Sequence, residues 1–298
     1  MDAEDYAELQ GFWKISLRNR GLSVQTVRSY MIGCELFARW CAERGHDPDL
    51  TVRNVEAFTA ELLTAKSSST ALTRQVALRQ FSAWLAASDP PEIERDLLAG
   101  IRPPKLDQKV VDGLTRDEVR ALLAECQGKR FVDRRDTAIV RFMAATGVRA
   151  DELVQMKVYD IQIAAGSAVV LRGKGGKGRR VGFGPVTAEA LARYSRMRRQ
   201  HKLAGGELFW LADYGRTLTY PALWATLRRR GNRAGLEGFH PHQLRHTMAI
   251  EWLAEGGSET GLMSQGGWAH VSMIQRYVKA AASDLSIAEQ HRIGLDDI

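Results

Sequence analysis

The stretch HPHQLRH (240–246) sets His242 and Arg245 three residues apart, so on a helix both side chains leave one face. A guanidinium can fork onto two oxygens of a phosphoryl group while an imidazole donates or moves a proton there. Histidines at close spacing also suggest zinc, but Leu244 and Arg245 are poor company for a metal. ATGVRADEL (145–153) supplies a second arginine, Arg149, just past a helix-breaking glycine. Glu152 follows one helical turn on, and taken alone that pair reads as a surface ion pair. GGWAHVSMIQRYVKA (266–280) adds Trp268 and, nine residues later, Tyr277. Either ring by itself reads as core, yet Tyr277 sits beside Arg276 and near Lys279, where a phenol can reach outward.

A fourth stretch, LRGKGGKGRRVGF (171–183), alternates glycine with lysine and arginine and contains no acid. A phosphate-binding loop of the GxxxxGK[ST] kind needs a Ser or Thr after the lysine and a helix after the loop. Here neither follows, and the residues beyond the turn alternate like a strand. The stretch therefore reads as a β-hairpin with Lys174 and Lys177 at its tip, which in isolation is an ordinary solvated turn.

These residues need elements to hold them. In the first hundred residues the apolar period is helical. Ser23 is a plausible N-cap, and Val24, Val27, Met31, Cys34, Phe37 and Cys41 form one stripe behind it. Residues 51–63 and 70–87 repeat the signal, so a small helical bundle is expected. Two Pro-Pro pairs then interrupt the pattern, and a linker is expected around residues 102–112. Thr115 with Glu118 forms a capping-box pattern opening a second domain, and a helix from about Asp133 breaks at Gly147. Three strand-like runs follow (159–163, 168–172 and 179–183), and from Thr187 onward the chain reads as helical. The expected fold is mainly α with a small antiparallel β-sheet. A helical domain of residues 1–105 precedes an α+β domain of residues 113–298 that includes the C-terminal tail.

Charge is distributed unevenly. Residues 1–107 carry 13 Lys+Arg against 15 Asp+Glu, residues 108–283 carry 28 against 16, and residues 284–298 carry 1 against 4. A middle segment this basic suits a polyanion, because such charge gains affinity by releasing counterions from phosphates. No apolar run approaches the length needed to cross a bilayer, and the acidic start MDAEDYAELQ is unlike a signal peptide. Cys34, Cys41 and Cys126 form no CxxC pair, which points to small core residues, a reducing cytoplasm and no structural zinc.

Taken in order, TGxRxxEL, a GKGGK hairpin, HxLRH, and GW followed nine residues later by Tyr resemble the catalytic domain of the tyrosine recombinases, the phage integrases and their Cre-type and chromosome-dimer-resolution relatives. The resemblance spans about residues 113–283, and the N-terminal helices are similar to that family's core-binding, SAM-like domain only in kind. It implies a site-specific recombinase that cleaves and religates DNA through a 3′-phosphotyrosine. Arg149 and Arg245 would clamp the phosphate, Glu152 would support Arg149, Lys174 would be the general acid, His242 would assist, Trp268 would wall the site, and Tyr277 would be the nucleophile. The chemistry implies no cofactor and no metal. The implied partners are double-stranded DNA with paired sites and a homotetramer on that DNA, with room for accessory DNA-bending or directionality factors and none for a membrane. The place implied is the cytoplasm, at the nucleoid.

Within that resemblance, integration or excision of a mobile element stands beside chromosome or plasmid dimer resolution. A type IB topoisomerase shares the chemistry, and a non-catalytic sequence-specific DNA-binding protein is the reading from another class. Most members carry Leu-Gly-His where this chain has Gly-Gly-Trp (266–268), so that Trp268 matches the Cre-type variant, with His270 as the rival for that position. The bundle begins at once, which implies the minimal two-domain architecture without an arm-binding domain. The acidic tail, with Leu285, Ile287, Ile293 and Leu295, is expected to anchor on a neighbouring protomer.

Overall fold

The structure, a computed structural model, describes residues 1–107, 113–172 and 176–293. Its contacts divide the chain into two compact units, Met1–Lys109 and Val110–Ile298. In the first, α1 (Ala3–Asn19), α2 (Val24–Ala42), α3 (Val52–Ala65) and α4 (Ser68–Ala87) each start on a side-chain cap: Asp2, Ser23, Thr51 and Ser67. Trp13, Phe37, Phe81 and Leu85 fill the space between the helices. Helices α2 and α4 approach so closely that a Cβ on Gly33 would lie 2.6 Å from that of Ala77. The apolar stripe of α2 is buried as its period predicts, except at its first residue. Val24 is 85% exposed, because the period runs one turn further than the bundle covers.

In the second unit, Thr115 and Glu118 cap α5 (Arg116–Glu125) reciprocally. Helix α6 (Phe131–Thr146) ends where Gly147 takes a left-handed conformation, φ 62°. A short helix, α7 (Ala150–Gln155), leads to an antiparallel sheet in the order β1 (Ile161–Gln162), β2 (Ser167–Arg172), β3 (Gly176–Gly182). There follow α8 (Pro185–Arg198), α9 (Tyr220–Arg233), α10 (His242–Ala254), α11 (Glu259–Gly266) and α12 (Gln275–Ile293). Residues 284–293 of the acidic tail thus continue the helix that starts just before Tyr277.

The chain between α8 and α9 departs from the helical expectation. Leu208 bridges to Lys157 and Leu211 to Thr217, and Phe209 and Trp210 are buried. The cause is Arg198, whose buried guanidinium takes the carbonyls of Ala204, Gly206, Leu208 and Phe209 that a helix would have used internally. Arg230 is internal as well, held by Asp133 and Asp136, with Arg135 on the other oxygen of Asp136. Part of the basic charge in the arginine-rich stretches is therefore structural and does not reach a surface. Removing one member of such a buried pair costs about 3–5 kcal/mol. All three cysteines are free and buried, as small core residues. No described helix is long and apolar enough to cross a membrane.

Candidate active site

Gly147 is the first positioning element. Its left-handed turn favours glycine, and a Cβ there would also have to displace the Met248 methyl. The turn directs the Gly147 carbonyl at α10, where it accepts a 2.6 Å hydrogen bond from Arg245 Nη1. Two residues on, Arg149 precedes α7, and Glu152 in the first turn reaches back to accept from the Arg149 amide (3.0 Å) and from its Nη1 (2.9 Å).

The Arg149–Glu152 pair is not the surface ion pair that its spacing suggests. The Glu152 side chain is 8% exposed, and Arg179 on β3 donates to both its oxygens at 2.9 and 2.8 Å. Burial alone would raise the Glu152 pKa. The Arg179 hydrogen bonds, the Arg149 amide and both guanidinium charges outweigh it and hold the carboxyl at about 2. Arg179 also donates to the Gln265 carbonyl, and the Gln265 side chain bonds Gly182 in both directions. Strand β3 is thereby stitched to the end of α11, next to the Gly-Gly-Trp segment.

Both glycines of that segment are explained by what lies against them. A side chain on Gly266 would overlap the Trp268 ring, and one on Gly267, whose φ is 69°, would meet Arg179. The indole takes the space that a residue such as leucine at 266 would need. Its face then receives Arg245, whose guanidinium carbon sits 3.9 Å from the ring centroid. His270 is exposed at the following turn, so Trp268, not His270, enters the cluster.

Arg245 is 1% exposed, and its Nη2 has no hydrogen-bond partner among the described residues. Burial, with Arg149 and Arg179 close by, pulls its pKa down to about 9. Beyond the indole lies Tyr277, with ring centroids 5.4 Å apart. The tyrosine is fully buried, contrary to the outward phenol that its polar neighbours suggest. It packs in a cluster of Met248, Leu253, Leu262 and Ile274, with the Arg276 guanidinium 4.9 Å from its ring centroid and the His246 ring beside it. Arg276 Nη2 donates to the phenolic oxygen at 3.1 Å, and His246 Nδ1 lies 2.8 Å from it.

His242 opens α10, with its ring perpendicular to that of His246 at 4.6 Å. It stands exposed at the edge of the cluster, and the burial it does have, together with Arg245 and His240, keeps its pKa near 4. Burial and then His242, Arg276, His240 and Arg245 bring His246 to about 3. Lys174 lies outside the described residues. The structure thus brings Arg149, Glu152, His242, Arg245, Trp268 and Tyr277 together.

Three participants escaped the sequence reading: Arg179, His246 and Arg276. His246 was legible as the third member of the His242–Arg245 face, at spacing i+4. Arg179 carried only the inward phase of a strand, and Arg276 no signal beyond its place next to Tyr277. Among the described residues no group of three or more His, Cys, Asp or Glu is placed to hold a metal.

The model of the phage integrase family matches residues 113–284. The chain belongs to that family. Residues 9–89 match the phage integrase N-terminal SAM-like domain. Tyrosine recombinase XerD of Ralstonia nicotianae is 29% identical over 281 residues, covering 91% of this chain and 89% of the relative. Tyrosine recombinase XerA of Thermococcus kodakarensis is 30% identical over 274 residues, covering 91% and 90%. Among solved structures, XerH site-specific recombinase bound to palindromic difH substrate superposes with a TM-score of 0.74 at 19% identity, covering 91% of this chain and 81% of that one. A lambda integrase dimer bound to a COC′ core site gives 0.71 at 18%, covering 92% and 97%. The mainly helical fold with its small antiparallel sheet is that of the tyrosine recombinases.

Proposed function

We propose that the protein is a site-specific DNA recombinase that cleaves and rejoins strands through a 3′-phosphotyrosine on Tyr277. One observation carries this reading: two guanidiniums, Arg149 and Arg179, share a single carboxylate, Glu152, and a third, Arg245, lies close to both with its buried Nη2 left without a partner among the described residues. Three guanidiniums against one carboxylate leave the cluster net positive, and a phosphodiester supplies both negative charge and acceptor oxygens. Arg245 and Arg149 hold the non-bridging oxygens and offset charge that builds in the transition state. Glu152 fixes Arg149 in place. Trp268 covers the guanidinium of Arg245 and keeps water from it. His242 hydrogen-bonds the phosphate or moves a proton, and Lys174 protonates the leaving 5′ oxygen. The phosphotyrosine conserves the energy of the bond broken, so religation by a 5′ hydroxyl needs neither nucleotide nor metal. This is the chemistry of a type IB topoisomerase applied to strand exchange.

The N-terminal helices bind the core site, and a tetramer assembles on paired sites in the cytoplasm, at the nucleoid. Similarity over nine-tenths of the length of relatives named XerD and XerA favours a second biological reading, chromosome or plasmid dimer resolution, beside integration of a mobile element. The test of the chemistry is Tyr277→Phe on a nicked suicide substrate. Site DNA should be bound as before with no covalent adduct formed, whereas an undiminished adduct refutes the assignment. Sequencing the DNA that the protein selects at low salt separates a chromosomal site from the ends of an element.

A further inference from the structure

Tyr277 Oη has two polar neighbours, and they play opposite parts. Arg276 Nη2 lies 3.1 Å away and can only donate. The phenolic hydrogen therefore needs an acceptor elsewhere, and His246 Nδ1 stands 2.8 Å away. Burial and the surrounding cations keep that imidazole neutral, so Nδ1 carries a free lone pair and Nε2 the hydrogen. His242 faces the His246 ring edge at 4.6 Å, and among the described residues the phenol's hydrogen-bond partners are His246 and Arg276.

We propose that His246 is the group that takes the phenolic proton of Tyr277 when the nucleophile attacks, and that an occupied phosphate site is what makes it basic enough to do so. The inference rests on Tyr277 being the nucleophile. In the step so written, the Tyr277 O–H bond breaks and its electron pair stays on oxygen, while the proton passes to His246 Nδ1. The oxygen bonds to phosphorus. The P–O5′ bond breaks with its pair on the 5′ oxygen, which takes a proton from Lys174. In religation His246 returns its proton to the departing phenolate, so one residue serves both directions.

The gate follows from charge. The groups facing His246 are His242 and Arg245 on α10, His240 just before that helix, and Arg276 with Tyr277 on α12. None of these is an anion when Tyr277 is protonated, so none of them stabilises an imidazolium, and His246 is a poor base, with its pKa at about 3. A phosphodiester seated on Arg245 brings the missing negative charge into this cluster and raises the basicity of His246. The buried phenol is then activated only where DNA is present, which protects the protein from futile reaction with other phosphorus centres.

The experiment is His246→Asn, because an asparagine oxygen can stand near the Nδ1 position and accept from the phenol but cannot carry its proton. Site-DNA binding should stay within about twofold of wild type. Adduct formation on the suicide substrate should slow by roughly 10²–10⁴-fold, the range of acid–base catalysis, and the acid limb of its pH–rate profile should vanish. A loss below tenfold, or a larger loss with the acid limb retained, overturns the proposal. Tyr277→Phe runs in parallel: an adduct surviving there defeats the nucleophile assignment instead. Should His246→Asn fail to fold, nitrogen-15 imidazole spectra of Lys174→Ala protein give a reading with His246 intact. The His246 midpoint should rise when site DNA is added, and a midpoint unmoved by DNA overturns the gate.

Discussion

Replacing Glu152 by Gln tests whether the arginine cluster is held together as a charge-balanced unit. In the native protein the carboxyl sits at about 2, against an ordinary 4.5. At 1.36 kcal/mol per pKa unit, the difference corresponds to about 3 kcal/mol of stability at neutral pH. The Glu152 and Arg179 side chains are 8% and 9% exposed, so solvent screens this pair little, whereas Arg149 at 32% contributes less. In Glu152→Gln the amide retains one acceptor oxygen but turns an NH₂ toward a guanidinium and leaves Arg149, Arg179 and Arg245 uncompensated. A loss of about 3 kcal/mol is expected, in the range for breaking one side of a buried pair. Because the folded pKa lies below the unfolded one, this stability is present above about pH 4.5 and lost as pH falls toward 2. Urea denaturation of both proteins at pH 7 and through that acid window reads it directly. The wild type should converge on the variant as the pH falls, and sulfate should recover part of the variant's deficit by filling the anion site. A difference below about 1 kcal/mol at pH 7, or one that does not shrink in acid, refutes the argument.

Three further outcomes are expected. Gly266→Leu should abolish adduct formation by displacing the Trp268 ring, and Trp268→His in the same chain should restore part of it, a non-additivity that a cleavage assay on the four proteins reads. Lys174→Ala should cleave slowly on a normal 5′-oxygen substrate and near the wild-type rate on a 5′-bridging-sulfur substrate, since sulfur leaves without a proton; rescue of Lys177→Ala instead reverses the roles of the two lysines. Deleting residues 284–298 should leave single-site binding nearly intact in a gel-shift titration and abolish cooperative synapsis, because the acidic tail has little reason to lie on DNA. Wild-type recombination by the shortened protein refutes docking of the tail on a neighbour.

What the sequence by itself determined is what depends on short separations. Helix caps at Ser23 and Thr115, the stop at Gly147 and the shared face of His242 and Arg245 follow from chemistry within four residues. The order of the four motifs was enough to indicate the family. Tertiary structure decided which partners those residues find across the chain. Arg179 reaches Glu152 from 27 residues away, and Tyr277 turns inward to His246 across 31. Between α8 and α9, where the sequence reads as helical, the Arg198 guanidinium takes the carbonyls of Ala204, Gly206, Leu208 and Phe209 instead. The choice of Trp268 over His270 required knowing that Gly266 leaves room for an indole and that Arg245 lies on its face. Period and spacing encode which face a residue occupies. Whether a charge on that face meets water, an opposite charge or other like charges depends on what packs against it, and only the folded chain supplies that.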